Sequence, residues 1–148
     1  MKFKVETVIK APRQRVFGQA IDVANWDKIV TAIEKIEILT PGPIGVGTRF
    51  RETRKMFGQE ASEEMTFAEF EPGSRFLLTA HSHGTRYRTE HMFSDYRDGT
   101  RLMITFEGKP VSHAARLMSP FGWLMCWSLQ NMLAGDLDDL KSAVERAT

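Results

Sequence analysis

Three residues with acid–base side chains fall at strand positions that also carry apolar neighbours: Glu52, Tyr87 and His91. Residues two apart in a strand share a face, so Glu52 lies on the face of Phe50, and Tyr87 and His91 lie on the face of Phe93. A carboxylate in apolar surroundings has a raised pKa, and a neighbouring imidazole can exchange protons with it. These three residues are therefore the candidate catalytic residues.

The same side chains also have a purely structural interpretation. Buried polar groups are, as a rule, hydrogen-bonded. Under this interpretation Tyr87 and His91 satisfy buried backbone groups, and Glu52 pairs with Arg54 or Arg49 near the end of its strand. The residue types alone leave both interpretations open.

Other residues that could carry chemistry give weaker patterns. The sequence from His81 to His83 places two imidazoles on one strand face, but a metal site needs a third ligand, which the sequence does not fix. Cys126 lies in an apolar segment, where a thiol has a raised pKa and is unreactive, so we predict a core cysteine. The sequence has no nucleophile elbow and no Gly-rich phosphate loop. We therefore predict neither a metal nor a cofactor.

Composition and charge exclude several classes of protein. The 148 residues are 42% hydrophobic and 26% charged, which is typical of one globular domain over residues 1–148. A net charge of +1 gives no basic surplus for nucleic acid, and a single cysteine excludes an internal disulfide. The charged N-terminus is unlike a signal peptide, and the chain lacks a run of about 18 apolar residues, so stable membrane insertion is not expected. We expect a cytoplasmic protein.

Alternation of apolar and polar residues predicts seven strands, separated by turns such as Asp98-Gly99. They cover residues 2–10, 33–39, 48–55, 59–70, 75–81, 86–96 and 101–107. Two short helices are predicted between the first two strands, one over residues 12–21 and one that Asp22 caps. Because consecutive strands are joined by short turns, the sheet is predicted to be antiparallel.

A long amphipathic helix is predicted at the C-terminus. Its apolar residues recur every three or four positions, at Leu129, Met132, Leu133, Leu137, Leu140 and Val144. Charged residues, among them Asp136, Asp139, Lys141 and Glu145, are assigned to the face that meets water. The stripe must therefore pack on another apolar surface.

The start of this helix can also be predicted. Ser119 is a suitable N-cap and Pro120 fits the first helical position, after a short helical turn that begins at Ser112. A helix of about 27 residues spans roughly 40 Å, so it must lie across the sheet. We predict an α+β fold in which a curved, seven-stranded antiparallel sheet wraps around the long C-terminal helix, with two short helices between strands one and two.

Several short segments occur in an order that resembles the START-like (SRPBCC) superfamily, the helix-grip proteins, which include polyketide cyclase/dehydrase-type proteins. They are Ala11-Pro12 with Arg15-Val16-Phe17, the run from Asp22 to Trp26, the run from Pro43 to Phe50, Glu69-Phe70-Glu71-Pro72, and the run from Asp98 to Leu102. The resemblance covers nearly the whole chain. It implies that a small hydrophobic molecule is held between sheet and helix, and that some members perform cyclisation or dehydration there.

Strand parity and the helical stripe select the residues expected to contact such a ligand. They are Phe50, Met65, Phe67, Leu78, Tyr87, His91, Leu102, Ile104, Met118, Phe121, Met125, Leu129 and Leu133. We predict a carrier or sensor of a hydrophobic or amphipathic small molecule. The alternatives are a cyclase or dehydratase that uses Glu52, Tyr87 or His91 on a polyketide-like substrate, and a protein-interaction module.

Residues 117–127 are apolar nearly all round, and one sheet face can cover only part of such a helix. We predict that residues 112–122 form a mobile flap beside the cavity mouth, with Trp123 or Trp127 at its edge. An exposed apolar patch of this kind serves as a ligand gate, a membrane-docking surface or a homodimer contact. Alternatively, the short helices pack over it through Trp26.

Overall fold

The computed structural model describes residues 1–56, 58–117 and 122–147, with residues 122–125 described by their backbone alone. In chain order, its elements are β1 (Lys2–Ile9), α1 (Arg13–Ala20), a 3-10 turn (Val23–Asn25), α2 (Trp26–Ile29), β2 (Ile33–Ile38), β3 (Arg49–Met56), β4 (Gln59–Glu71), β5 (Arg75–Ser82), β6 (Thr85–Tyr96), β7 (Gly99–Pro110), α3 (His113–Leu117) and α4 (Gly122–Arg146).

All seven strands form one antiparallel sheet in the order β1-β7-β6-β5-β4-β3-β2. From β2 to β7 each strand pairs with the next one in the chain, as short turns require, and β1 pairs with β7 at the far edge. The helices α1 and α2 carry the chain from one edge of the sheet to the other. The predicted helix-grip fold, a curved antiparallel sheet with a long C-terminal helix and short helices between β1 and β2, is confirmed.

The strand β7 extends further than predicted. Residues 108–110 resemble a turn in the sequence, but in the structure they stay in the sheet, and Pro110 pairs with Thr85 at the start of β6. Gly108 lies in this segment, where a Cβ would be 2.9 Å from Met1 Cε and 3.3 Å from ring atoms of Tyr87. The missing side chain makes room for the Tyr87 ring on the inner face.

Aromatic rings fill one end of the inner face of the sheet. The rings of Phe17, Phe50, Phe67, Phe70, Phe76 and Phe93 contact one another at centroid distances from 5.0 to 6.1 Å. Phe17 belongs to α1, and Trp26 of α2 adds an edge contact to Phe50 at 5.3 Å. The two short helices therefore close this end of the sheet with a solid aromatic cluster.

The helix α4 turns the predicted apolar stripe toward the sheet, with Leu129, Leu137 and Val144 buried. Three charged side chains that the sequence assigns to water instead bind backbone groups of the first third of the chain. The Lys141 Nζ donates to the Val8 carbonyl (2.6 Å), the Lys10 N–H donates to Glu145 (2.9 Å) and the Thr31 N–H donates to Asp139 (2.9 Å). These bonds fix the C-terminal half of α4 to the end of β1 and to the segment between α2 and β2.

The predicted helix starts have different outcomes. Asp22 makes no side-chain bond to a backbone N–H, and its Oδ2 accepts a hydrogen bond from Asn25 Nδ2 at 2.8 Å instead. Ser119 and Pro120 lie outside the described residues, and α4 is described from Gly122 onward. Within the parts of the chain that the structure describes, no helix is long and apolar enough to span a membrane.

Replacing Leu137 by alanine tests the packing of α4. Leu137 is 3% exposed in the main core cluster, so we expect Leu137→Ala to lower the free energy of unfolding by about 2–5 kcal/mol. The control is Leu117→Ala, because Leu117 is 77% exposed and its loss should cost less than about 0.5 kcal/mol. Urea unfolding of both variants measures the difference, and equal losses would contradict this packing.

Candidate ligand-binding cavity

A cavity of about 580 Å³ lies between the inner face of the sheet, α2 and α4. Apolar side chains from the strands and from α4 form most of its wall. Gln59 and Glu60, at the turn between β3 and β4, and His83, at the turn between β5 and β6, also line the cavity and are exposed. Among the described residues, the cavity therefore opens to solvent between these two turns.

The structure brings many of the predicted ligand contacts together on this cavity. Those that line it are Met65, Leu78, Tyr87, His91, Leu102, Ile104, Leu129 and Leu133. Phe50 and Phe67 do not line it, because both are fully buried in the aromatic cluster. Met118 and Phe121 lie outside the described residues, and so does the Met125 side chain.

A buried ion cluster joins the sheet to α4 at this cavity. The Arg54 Nε donates to Glu52 Oε1 at 2.5 Å, and its two terminal nitrogens donate to the Asp136 carboxylate at 3.3 and 3.0 Å. The Glu52–Arg54 pair is the one expected under the structural interpretation, and Arg54 rather than Tyr87 or His91 is the hydrogen-bond partner of Glu52. Asp136 faces this pair instead of water.

Opposing effects set the ionisation of this cluster. Burial raises the pKa of Asp136 to about 6, although the Arg54 guanidinium lowers it. Burial disfavours the charge on Arg54, but Glu52 and Asp136 outweigh that effect and raise the pKa of Arg54 above its ordinary value. The guanidinium is therefore permanently charged and bound on two sides.

Glu63 is a functional candidate that our sequence interpretation missed. It stands directly opposite Glu52 in the β3–β4 ladder and lines the cavity. Burial raises the pKa of the Glu63 carboxyl, and the neighbouring Glu52 raises it further. Burial likewise raises the pKa of Tyr87, and the charge of Glu63 raises it further. Strand parity contained the signal, because Glu63 is two residues before the inward-facing Met65.

His91 lies on the wall of the cavity, opposite Phe76 in the β5–β6 ladder. Its ring stacks on Phe76 with a centroid distance of 4.3 Å. Burial, opposed by the backbone of Thr89, lowers the pKa of His91 to about 4, so the imidazole is neutral at pH 7. Its buried Nδ1 has no hydrogen-bond partner among the residues that the structure describes.

The other two chemical candidates are the His81/His83 pair and Cys126. His81 is exposed, whereas His83 lies beyond the end of β5 in a turn with φ +50°, so strand parity does not hold to His83 as the sequence predicts. No cluster of three metal-ligating side chains occurs in the described ranges. Cys126 is half-buried and packs against the core cluster that contains Leu129.

The described part of the predicted flap is the helix α3, and residues 118–121 lie outside the description. Trp127 is 63% exposed. Trp26 packs on Phe50 and donates from Nε1 to the Ala20 carbonyl at 3.1 Å, so its ring belongs to the core.

The family model for polyketide cyclase/dehydrase and lipid transport matches residues 1–145. The chain belongs to this family. The match covers nearly the whole chain and confirms the resemblance to the START-like superfamily that the sequence motifs indicated. No match is found among curated proteins.

Solved structures support the same fold for this family member. TTHA0849 from Thermus thermophilus is 20% identical with a TM-score of 0.81, and 100% of this chain and 99% of that chain are covered. The Zhui aromatase/cyclase from Streptomyces sp. R1128 is 16% identical with a TM-score of 0.79, and 99% of this chain and 94% of that chain are covered. The di-domain ARO/CYC BexL from the BE-7585A biosynthetic pathway is 16% identical with a TM-score of 0.83, covering 98% of this chain and 50% of that chain.

We expect Arg54→Met to destabilise this family member strongly, because it leaves the Glu52 and Asp136 carboxylates buried without a cation. The expected loss is about 3–5 kcal/mol in urea unfolding. Arg51→Met is the control, since Arg51 forms partly exposed ion pairs with Glu37 and Glu64 that are worth less than about 1 kcal/mol. Adding Glu52→Gln and Asp136→Asn to Arg54→Met should recover part of the loss. Equal losses for the two arginine variants would refute the role of the cluster.

The pH dependence of stability tests the environment of His91. Folding lowers the pKa of His91 from 6.5 to about 4, so between these pH values the unfolded chain binds a proton that the folded protein does not. The free energy of unfolding is therefore highest above pH 6.5, and it falls by about 3 kcal/mol as the pH drops from 6.5 to 4. Asp136, whose pKa is raised from 3.8 to about 6, acts in the opposite direction, so variants must be compared with the wild type.

His91→Phe keeps the stack on Phe76 and removes the titrating group. We therefore expect it to flatten the loss of stability between pH 6.5 and pH 4, measured by urea unfolding at several pH values. His81→Phe, at an exposed position, should leave the wild-type slope unchanged. A slope unaffected by His91→Phe would contradict the burial of a neutral imidazole.

Proposed function

We propose that this protein binds a hydrophobic or amphipathic small molecule in the cavity between the sheet and α4. The observation that carries the proposal is the cavity itself, with about 580 Å³ of space behind mostly apolar walls. Small-molecule sites have volumes of about 300–1,000 Å³ and combine apolar walls with a few polar groups. The chain over residues 1–148 acts as one binding domain in this proposal.

The composition of the lining supports the same proposal. Met65, Leu78, Ile104 and Leu133 would contact the apolar body of the ligand, and Glu63 offers a polar group on the same wall.

A cyclase or dehydratase activity has less support. Two of the three solved structures compared above are named aromatase/cyclase or ARO/CYC, but at 16% identity the likeness extends to the fold alone. The candidate acid–base residues do not form a relay, since Glu52 is bound to Arg54 and the pKa of Tyr87 is raised. Neither feature favours proton transfer near pH 7.

Filling the cavity tests the proposal. Leu133 lines the cavity, so Leu133→Trp should weaken binding of the neutral fluorescent probe N-phenyl-1-naphthylamine at least about tenfold, because the indole occupies the space of the ligand. Gln130→Trp adds the same side chain to the exposed face of α4 and should leave binding unchanged. Thermal unfolding checks that both variants are folded at the assay temperature.

Native mass spectrometry and organic extraction of the purified protein provide an independent check on the cavity. Retention of a small apolar molecule supports the proposal. A wild-type protein that is empty and also fails to bind the probe would show that the cavity is not a binding site.

A further inference from the structure

Acidic side chains outnumber basic ones around the cavity. Its described lining contains four carboxylates, Glu52, Glu60, Glu63 and Asp136, and one guanidinium, that of Arg54. The described lining includes no lysine, and its other basic side chains are two histidines, of which the buried one is neutral. The lining therefore carries a formal negative surplus even with His83 protonated, and a surplus of one sign in a recessed site attracts the opposite charge.

The guanidinium cannot serve an acidic ligand, because both ends of its fork are already bound. Its Nε donates to Glu52 and its terminal nitrogens donate to Asp136, and the Arg54 side chain is only 7% exposed. A carboxylate or phosphate group that entered the cavity would meet Glu63 and Glu60 without gaining a cation. The charge distribution thus disfavours anionic amphiphiles.

Glu63 is a carboxylate of the lining that, unlike Glu52 and Asp136, is not hydrogen-bonded to Arg54. It stands opposite Glu52 in the ladder, and the groups that stabilise its ionised form are Ser82, His83 and the already bound Arg54. Burial raises the pKa of Glu63, as does the charge of Glu52. An incoming cation would act against both effects, because it favours the ionised form of Glu63.

The carboxylates lie toward one end of the apolar space. Glu63 interacts with Ser82 at the end of β5, whereas His91, which also lines the cavity, pairs with Phe76 near the start of that strand. Six residue steps separate these two points, or about 20 Å along the strand. The apolar body of a ligand bound at Glu63 therefore has space to extend along the cavity toward His91.

We infer that the ligand of this cavity is an amphipathic cation, whose apolar body lies between the sheet and α4 and whose protonated amine binds at Glu63 beside Glu52. This inference rests on the proposed function and specifies its ligand class. The ammonium group would form a charge-assisted hydrogen bond with the Glu63 carboxylate. A neutral hydroxyl on the same chain would form a weaker one.

Three ligands with the same ten-carbon chain test the inference: decylammonium, decanol and decanoate. Each is titrated at pH 7.5, below its micelle concentration, against protein loaded with N-phenyl-1-naphthylamine. We expect decylammonium to displace the probe at a concentration at least about tenfold lower than decanoate, with decanol between them. Added salt should weaken the binding of decylammonium and leave the binding of decanol unchanged, because only decylammonium carries a charge.

A matched pair of variants locates the effect. Glu63→Gln should reduce the preference for decylammonium over decanol by about tenfold. Glu64→Gln changes the net charge equally, but Glu64 lies on the outer face of the same strand, paired with Arg49, so the preference should persist. Equal preferences in the two variants would overturn the assignment to Glu63.

The remaining outcomes separate the inference from the proposed function. If decanoate binds as tightly as decylammonium, the inference is wrong while the binding function stands. If the probe and all three ligands fail to bind, both the proposed function and the inference are wrong.

Discussion

The guanidinium of Arg54, held between Glu52 of β3 and Asp136 of α4, links the sheet to the helix at the cavity, and the neighbouring carboxylates depend on it for their charge balance. Burial of these charged groups is tolerated only while the geometry satisfies every partner. The planar fork of the guanidinium fixes the distance and angle between sheet and helix more firmly than aliphatic contacts can. Removing one partner of the cluster is therefore costly, whereas the intact cluster adds little net stability beyond fixing this geometry.

Local patterns were sufficient to predict most of the fold. Alternation and turn residues give the seven strands, and the spacing of Leu129, Leu137 and Val144 gives the inner face of α4. The interpretation of Asp136 was wrong for an instructive reason. Asp136 is three residues after Leu133 and therefore lies on the apolar stripe, but its charge assigned it to water. Its partner Arg54 comes from a distant strand, and only the tertiary structure brings the two together.

The extent of the cavity could not be predicted from strand parity, because parity gives the face of a residue and not the depth at which it lies. Phe50 and Met65 are opposite one another on the inner face, yet Phe50 is covered by Trp26 while Met65 borders the open space. Which part of the inner face is filled depends on where α2 rests. A similar limit applies to His83, since a turn with positive φ ends the alternation that parity assumes.

The pairing of β1 with β7 has a consequence for synthesis of the chain. Lys2 pairs with Glu107, so β1 is synthesised well before β7 and has no strand partner until β7 follows it. Closing so long a loop carries an entropic cost that local contacts do not offset, and topologies of this kind fold slowly. A nascent chain that ends before β7 leaves Phe3 and Ile9 exposed to chaperones and to other chains. The cavity, which residues of both β7 and α4 line, therefore forms late, after these two elements have been translated.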